Sequence, residues 1–175
     1  MQSPPRHDGI AAGTLYNDTA RKLVLSYKHG RKIALAPMLA GMIRARIAGL
    51  DGKWFALPVP LHRIRLWQRG FNQSALLARE LSKADGIELL VDGLIRTKST
   101  PALGGLGRNQ RAKTLQGAIA INPKHKATLK SAQILLVDDV LTSGATTNAC
   151  VSVLKRAGAA KVKIACFSRV LDEAL

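Results

Sequence analysis

In ILLVDDVLTSGATTNACVSVLKRAG, residues 134–158, an apolar run ends in two adjacent carboxylates, Asp138 and Asp139. Like charges repel, so paired acids at the end of such a run point to a ligand that accounts for them. The residues that follow are small and hydroxyl-bearing, with Thr142, Ser143, Thr146 and Thr147 grouped around Gly144. Where such a loop turns directly into a helix, its backbone N–H groups, the helix dipole and the hydroxyls can converge on one anion. Gly144 lets the backbone turn tightly or approach that anion closely. A phosphate cradle beside two carboxylates fits a ribose 5-phosphate unit, with its phosphate in the loop and its vicinal hydroxyls donating to Asp138 and Asp139. A hard cation such as Mg²⁺ on the same hydroxyls would relieve the repulsion between the acids.

Other spellings of a phosphate site are missing. Acid-ended strands also serve P-loop nucleotide sites, but no G-x-x-x-x-G-K-[ST] occurs in this chain. The glycines at 104, 105 and 107 do not follow a strand in the spacing of a dinucleotide fingerprint. An N-capped helix after a buried strand explains one acid and one hydroxyl, not two acids and four hydroxyls. Cys150 and Cys166 make no CxxC pair, which argues against a cysteine zinc site; both read as small buried hydrophobes. His62 follows the Pro60 turn and reads as a loop histidine, and His7, His29 and His125 have no evident partner. Phe55 and Phe71 read as core, whereas Trp67, flanked by Arg65 and Arg69, is placed to stack on a base.

Helices and strands must position these groups. Residues 1–13 read as a lead-in rich in Pro, Gly and charge. Asn17 or Asp18 can cap a helix whose Ala20, Leu23, Val24 and Tyr27 recur at helical steps, with Gly30 ending it. A second helix, within 32–49, kinks or starts at Pro37. KWFALPVP is a short strand, LHRIRLWQRGFNQS a basic loop, and SALLARELSKAD a helix closed by Gly86. GLIRTK and GAIAIN read as strands on either side of a long exposed loop over STPALGGLGRNQRAKT. AQILLVDDV is a buried strand, residues 144–158 a helix and KVKIACFSRV a closing strand. Alternating strands and helices predict an α/β fold with a parallel sheet, in which ligands sit beyond the carboxyl ends of the strands.

The bulk numbers agree with one soluble domain. The 175 residues are 47% hydrophobic, and 27 Lys and Arg outnumber 11 Asp and Glu to give a formal charge of +16. That surplus attracts phosphates, whether on nucleotides, nucleic acid or an anionic surface. The N-terminus has no apolar signal region and no apolar run reaches membrane-spanning length, so the sequence predicts no membrane insertion and a cytoplasmic location.

ILLVDDVLTSGATT resembles the phosphoribosyl diphosphate signature of type I phosphoribosyltransferases. PVPLHRIRLWQRGFNQSALLARELS closely resembles a block of the ComF-type competence proteins, the ComF/GntX family, and RTKSTPALGGLGRNQRAKTLQGAIAI resembles that family's next block more loosely. With LYNDTARKLVLSYKHGRKIALAPMLA added, the resemblance covers nearly the whole chain. It implies a type I phosphoribosyltransferase fold over 14–175, a parallel sheet flanked by helices, with the helices of 14–50 as a small N-terminal hood.

The resemblance also implies roles. Asp138 and Asp139 would hold the ribose 2- and 3-hydroxyls and, directly or through them, Mg²⁺. Thr142, Ser143, Gly144, Ala145 and Thr146 would bind the 5-phosphate. Pro60 and Leu61 would meet the diphosphate, with Arg65 and Arg69 nearby. The 104–113 segment would be the mobile loop, with Arg108 and Arg111 facing the leaving group and Lys113 adding charge. Leu103 and Thr114 stand where the family usually has Gln and Asn, which puts the polar contacts made there in doubt. The family often begins with a cysteine-rich zinc ribbon, absent here; SPPRHDG stands about where it would have ended, through loss or truncation. Two functions follow: transfer of the phosphoribosyl group to an unidentified nitrogen acceptor, linked to DNA uptake, or a non-catalytic module binding phosphoribosyl diphosphate or single-stranded DNA. Implied partners are phosphoribosyl diphosphate, single-stranded DNA and DNA-uptake proteins, with room for a homo-oligomer.

Overall fold

The computed structural model describes residues 6–28, 32–84, 86–98 and 108–171. Its centre is a parallel sheet in the order β1-β7-β6-β2-β3, built from Ile10–Leu15 (β1), Lys161–Arg169 (β7), Gln133–Leu141 (β6), Trp54–Pro58 (β2) and Ile87–Leu89 (β3). The middle strands are apolar on both pleats because both faces of the sheet are covered. On one face Phe55, Leu57, Ile134, Leu136, Ile164 and Cys166 pack against Cys150, Val151 and Leu154 of helix α7 (Ala145–Arg156). An antiparallel hairpin of β4 (Leu94–Arg96) and β5 (Ile119–Ile121) adds Leu94 and Ile119 to that layer.

On the other face Trp54, Ala56, Leu135, Val137, Ala165 and Phe167 meet helices α1 (Asp18–Lys28), α2 (Ala36–Arg44) and α4 (Gln73–Leu81). Asn17 caps α1 through its side-chain oxygen, which accepts from the Ala20 N–H at 2.8 Å. Pro37 lies in the first turn of α2, where its missing N–H costs nothing. The chain winds one way from β2 through α4 to β3 and the other way from β6 through α7 to β7. The carboxyl ends of β2 and β6 are therefore the topological switch point, where open parallel sheets take their ligands.

Several expectations change. The lead-in read over 1–13 runs into β1, for Ile10–Leu15 pairs in parallel with β7. Its IAAGTL is short and weakly apolar, so pairing rather than composition makes the strand. The helices of 14–50, expected as a small N-terminal hood, bury a stripe of Ala20, Val24, Tyr27, Leu39 and Ile43 against the sheet and α4. The basic loop after Pro60 contains helix α3 (Arg63–Arg69), started by His62, whose Nδ1 accepts from the Ile64 N–H at 3.4 Å, and stopped at Gly70 with φ of 83°. The loop expected up to residue 114 gives way to helix α5 (Arg108–Leu115), and a short helix α6 (Lys126–Leu129) precedes β6. Cys150 and Cys166 are both buried and unpaired, as their sequence context predicted. Among the described residues no helix is long and apolar enough to cross a membrane.

Candidate functional site

Strand β6 does not stop at Val137. It runs through both acids, with Asp138 beside Cys166 and Val140 beside Ser168 of β7. A pleated strand turns successive side chains to opposite faces, so Asp138 and Asp139 diverge rather than form a parallel pair. Asp139 follows Leu135 and Val137 towards the α1 face, where the residue is 3% exposed. Its Oδ1 accepts from the Val140 N–H at 2.9 Å. Its Oδ2 lies 2.7 Å from the Lys28 ammonium at the end of α1, an ion pair by distance whose angle falls outside that of a hydrogen bond.

Asp138 is half-buried. Its Oδ1 accepts from the Ser74 hydroxyl at 3.0 Å and from the Asp139 N–H at 2.9 Å. Burial is the main force that pushes the Asp138 carboxyl up to about 7, and the neighbouring charge of Asp139 adds to it. The two hydrogen bonds and the Lys28 charge pull the other way without cancelling the rise. An acid held against its preferred protonation state at a switch point is the kind of group functional sites keep.

Ser74 lies at the start of α4, where Asn72 caps the helix by accepting from the Ser74 N–H at 3.0 Å while its amide donates to the Val59 carbonyl at 3.1 Å. Gln73 and Ser74 are 5% and 2% exposed, unusually buried for polar residues, and both are bonded. Arg69 donates to Gln73 Oε1 at 2.7 Å and the Tyr27 hydroxyl donates to the Gln73 carbonyl at 2.9 Å. These bonds tie the end of α1, the start of α4 and the acids into one network. Lys28, Gln73 and Ser74 were not singled out in the sequence, and Tyr27 was read only as part of the apolar stripe of its helix. The asparagine cap in GFNQS was the available signal, because it places the residues behind it at the strand ends.

A glycine turn leads directly into the helix, as the spelling of residues 142–147 suggests. Gly144 sits at φ of 71° and leads into α7, whose N-terminus has no side-chain hydrogen-bond cap. A Cβ there would strain the backbone and lie 3.3 Å from Asn148 Nδ2. Thr142 is exposed, and Ser143, Ala145 and Thr146 are partly so. Thr147 departs from the expected set: it is buried and its hydroxyl donates to the Gly144 carbonyl at 3.0 Å, so it braces the loop. Lys155 and Arg156 occupy the last turn of α7 and Gly158 follows at φ of 91°.

Across the crevice the turn after β2 is held by the Val59 N–H, which donates to the Val137 carbonyl at 2.8 Å. Pro60 is buried and Leu61 half-buried beside it, with Arg65 and Arg69 half-buried on α3. Burial lowers the pKa of the Arg96 guanidinium on β4, and the nearby charge of Arg65 lowers it further, so two cations converge on the Asp138 side of the sheet. Arg108 and Arg111 lie on α5, but their side chains fall outside the described residues, as do Leu103 and the glycines at 104, 105 and 107. The structure thus brings Asp138, the 142–146 loop, Pro60 and Leu61 together at the carboxyl ends of β2 and β6, turns Asp139 towards α1, and leaves the side chains of Arg108 and Arg111 outside the described residues.

The parallel sheet with helices on both faces, and a glycine turn into a helix at its switch point, is a type I phosphoribosyltransferase fold, and the family match bears this out. Residues 69–174, more than half of the chain, match the family model described as phosphoribosyl transferase domain. The "DNA utilization protein YhgH" of Escherichia coli (strain K12) is 28% identical over 98% of this chain and 76% of its own length. The "Competence protein F" of Haemophilus influenzae is 33% identical over 62% of this chain and 47% of its own. "Competence protein ComFC" of Streptococcus pneumoniae is 29% identical over 85% of this chain and 62% of its own. The chain belongs to the phosphoribosyl transferase domain family and, within it, to the ComF family of competence proteins.

Proposed function

We propose that the crevice binds phosphoribosyl diphosphate and transfers its phosphoribosyl group to a nitrogen acceptor, in a process linked to DNA uptake, in keeping with relatives named for competence and DNA utilization. The observation that carries this reading is the uncapped α7 N-terminus, opened by Gly144 in left-handed backbone, beside an Asp138 that the fold keeps at a cost. The 5-phosphate sits on the amides of 143–146, and a ribose hydroxyl donates to Asp138 Oδ2, since Oδ1 is already engaged. The acceptor's lone pair attacks the anomeric carbon as the C–O bond to diphosphate breaks, and diphosphate leaves with that electron pair. The protein's tasks are to position the sugar, neutralise the departing charge with Arg65, Arg69, Arg108, Arg111 and Lys113, and exclude water.

Asp139 is spent on Lys28, and no cluster of three or more acidic, histidine or cysteine groups gathers among the described residues. Mg²⁺ would come with the diphosphate oxygens as part of the substrate. Calorimetry with phosphoribosyl diphosphate and Mg²⁺ tests the site: the parent chain binds and the Asp138→Asn/Asp139→Asn chain loses most of that affinity. Equal affinity in both would remove the assignment.

One observation favours a second reading, a single-stranded DNA module. Trp67 is 86% exposed, far more than a tryptophan without a partner would normally be, and lines a shallow groove with Arg63, Leu66 and Gly70. Aromatic rings among cations stack on bases in a sequence-tolerant way. Titration with single-stranded DNA across a salt series should then show affinity falling steeply with salt. Trp67→Ala should cost about 1–3 kcal/mol of it. No binding at low salt would exclude the module.

A further inference from the structure

The Lys28–Asp139 pair has a consequence for ligand recognition, and it rests on the proposed sugar-phosphate reading of the crevice. Both oxygens of Asp139 are engaged, Oδ1 by the Val140 N–H at 2.9 Å and Oδ2 by the Lys28 ammonium at 2.7 Å. The carboxylate is 5% exposed and the lysine side chain 24%. Lys28 is not a wandering surface cation. It closes a helix whose Ala20, Val24 and Tyr27 are buried, and the hydroxyl of Tyr27, the preceding residue, donates to the Gln73 carbonyl at 2.9 Å. The ammonium is thus delivered from the α1 face to the back of the acid pair, while Asp138 keeps the crevice side.

Two adjacent carboxylates in a largely desolvated place need a counter-charge, and removing one partner of such a pair strands the other. A divalent cation could take over the neutralisation of Asp139 Oδ2 only by taking the position the ammonium holds. We propose that Lys28 is the resident counter-cation of the Asp138–Asp139 pair, a positioning residue that leaves Asp138 to accept sugar hydroxyls, so that ribose phosphates lacking the diphosphate are recognised here without a divalent metal. Any metal requirement of the full substrate then arises from its diphosphate.

The test is calorimetry with ribose 5-phosphate, which carries the hydroxyls and the 5-phosphate but no diphosphate. The full-length parent and Lys28→Met, which keeps most of the apolar stem, are each titrated in millimolar Mg²⁺ and in EDTA. The parent should bind equally well in both buffers. Lys28→Met should lose about tenfold in EDTA, the value of one charge-assisted contact, and regain affinity on adding Mg²⁺, because the vacated oxygen can then take a metal. A purely structural lysine would give no metal rescue. Parent binding that vanishes in EDTA, or a Lys28→Met chain that binds like the parent there, overturns the proposal. The parent comparison needs no variant, and Lys28→Arg retains the charge should Lys28→Met fail to fold. If the parent binds phosphoribosyl diphosphate but ribose 5-phosphate only with Mg²⁺, this inference alone falls. If it binds neither, the sugar-phosphate reading falls with it.

Discussion

In mildly alkaline buffer, Asp138→Asn is expected to melt about 5 °C above the parent chain and to lose most of its affinity for a sugar phosphate. Asn keeps an Oδ1 that can accept from the Ser74 hydroxyl and the Asp139 N–H, so both hydrogen bonds survive. What disappears is a carboxylate that burial and Asp139 hold at about 7, against an ordinary value of 3.8. Between those two values the folded chain holds a proton that the unfolded chain has released. Stability therefore falls as pH rises through that window and is lowest above it. The Asn chain escapes this loss, by about 2 kcal/mol once the partial exposure of Asp138 is allowed for. Its advantage should shrink as pH drops and vanish near the ordinary aspartate range. Calorimetric melting at acid and alkaline pH checks this. An equal gain at both, or a lower melting point in alkali, would contradict the burial of Asp138 as a strained acid. Gained stability with lost binding is the signature of a functional rather than structural carboxyl.

Trp54→Ala should cost about 3–5 kcal/mol and lower the melting point by roughly 10 °C. The indole is fully buried, and its Nε1–H donates to the Asp51 carbonyl at 3.2 Å. Trp54 starts β2, in register with Ile87 of β3 and Gln133 of β6, so its loss opens a cavity where three strands meet. The ammonium of Lys163 rests 5.5 Å from the ring centroid and would lose that support too. Trp67→Ala is the internal control, since a ring 86% exposed contributes little to folding and should leave the melting point almost unchanged. Urea unfolding of both variants separates them. A Trp54→Ala loss below about 1 kcal/mol would mean that the face built from α1, α2 and α4 does not depend on this side chain.

What could be read from the sequence had local causes. The apolar run of β6, the glycine turn before α7, the Asn17 cap and the Pro37 start each carry their signal within a few residues. What could not be read depended on distant partners. β3 is three residues long and exists because β2 offers an edge at Trp54–Ala56. α3 has no buried face, and its seven residues are held by a histidine cap and a left-handed glycine. The divergence of Asp138 and Asp139 follows from β6 continuing to Leu141, which in turn reflects pairing with β7. Lys28 and Ser74 reach the acids from two separate helices, a meeting that spacing along the chain does not encode.

The pairing of Ile10 with Ile164 sets a schedule for biosynthesis. As the ribosome releases the polypeptide, β1 emerges with nothing to zip against, because among the described strands its neighbour in the sheet is β7, which is made after all the others. The second strand likewise awaits the sixth on one flank. The nascent chain therefore carries the unpaired edges of β1 and β2 until β6 and β7 have been made, and their emergence joins the central sheet and removes those edges as templates for self-association.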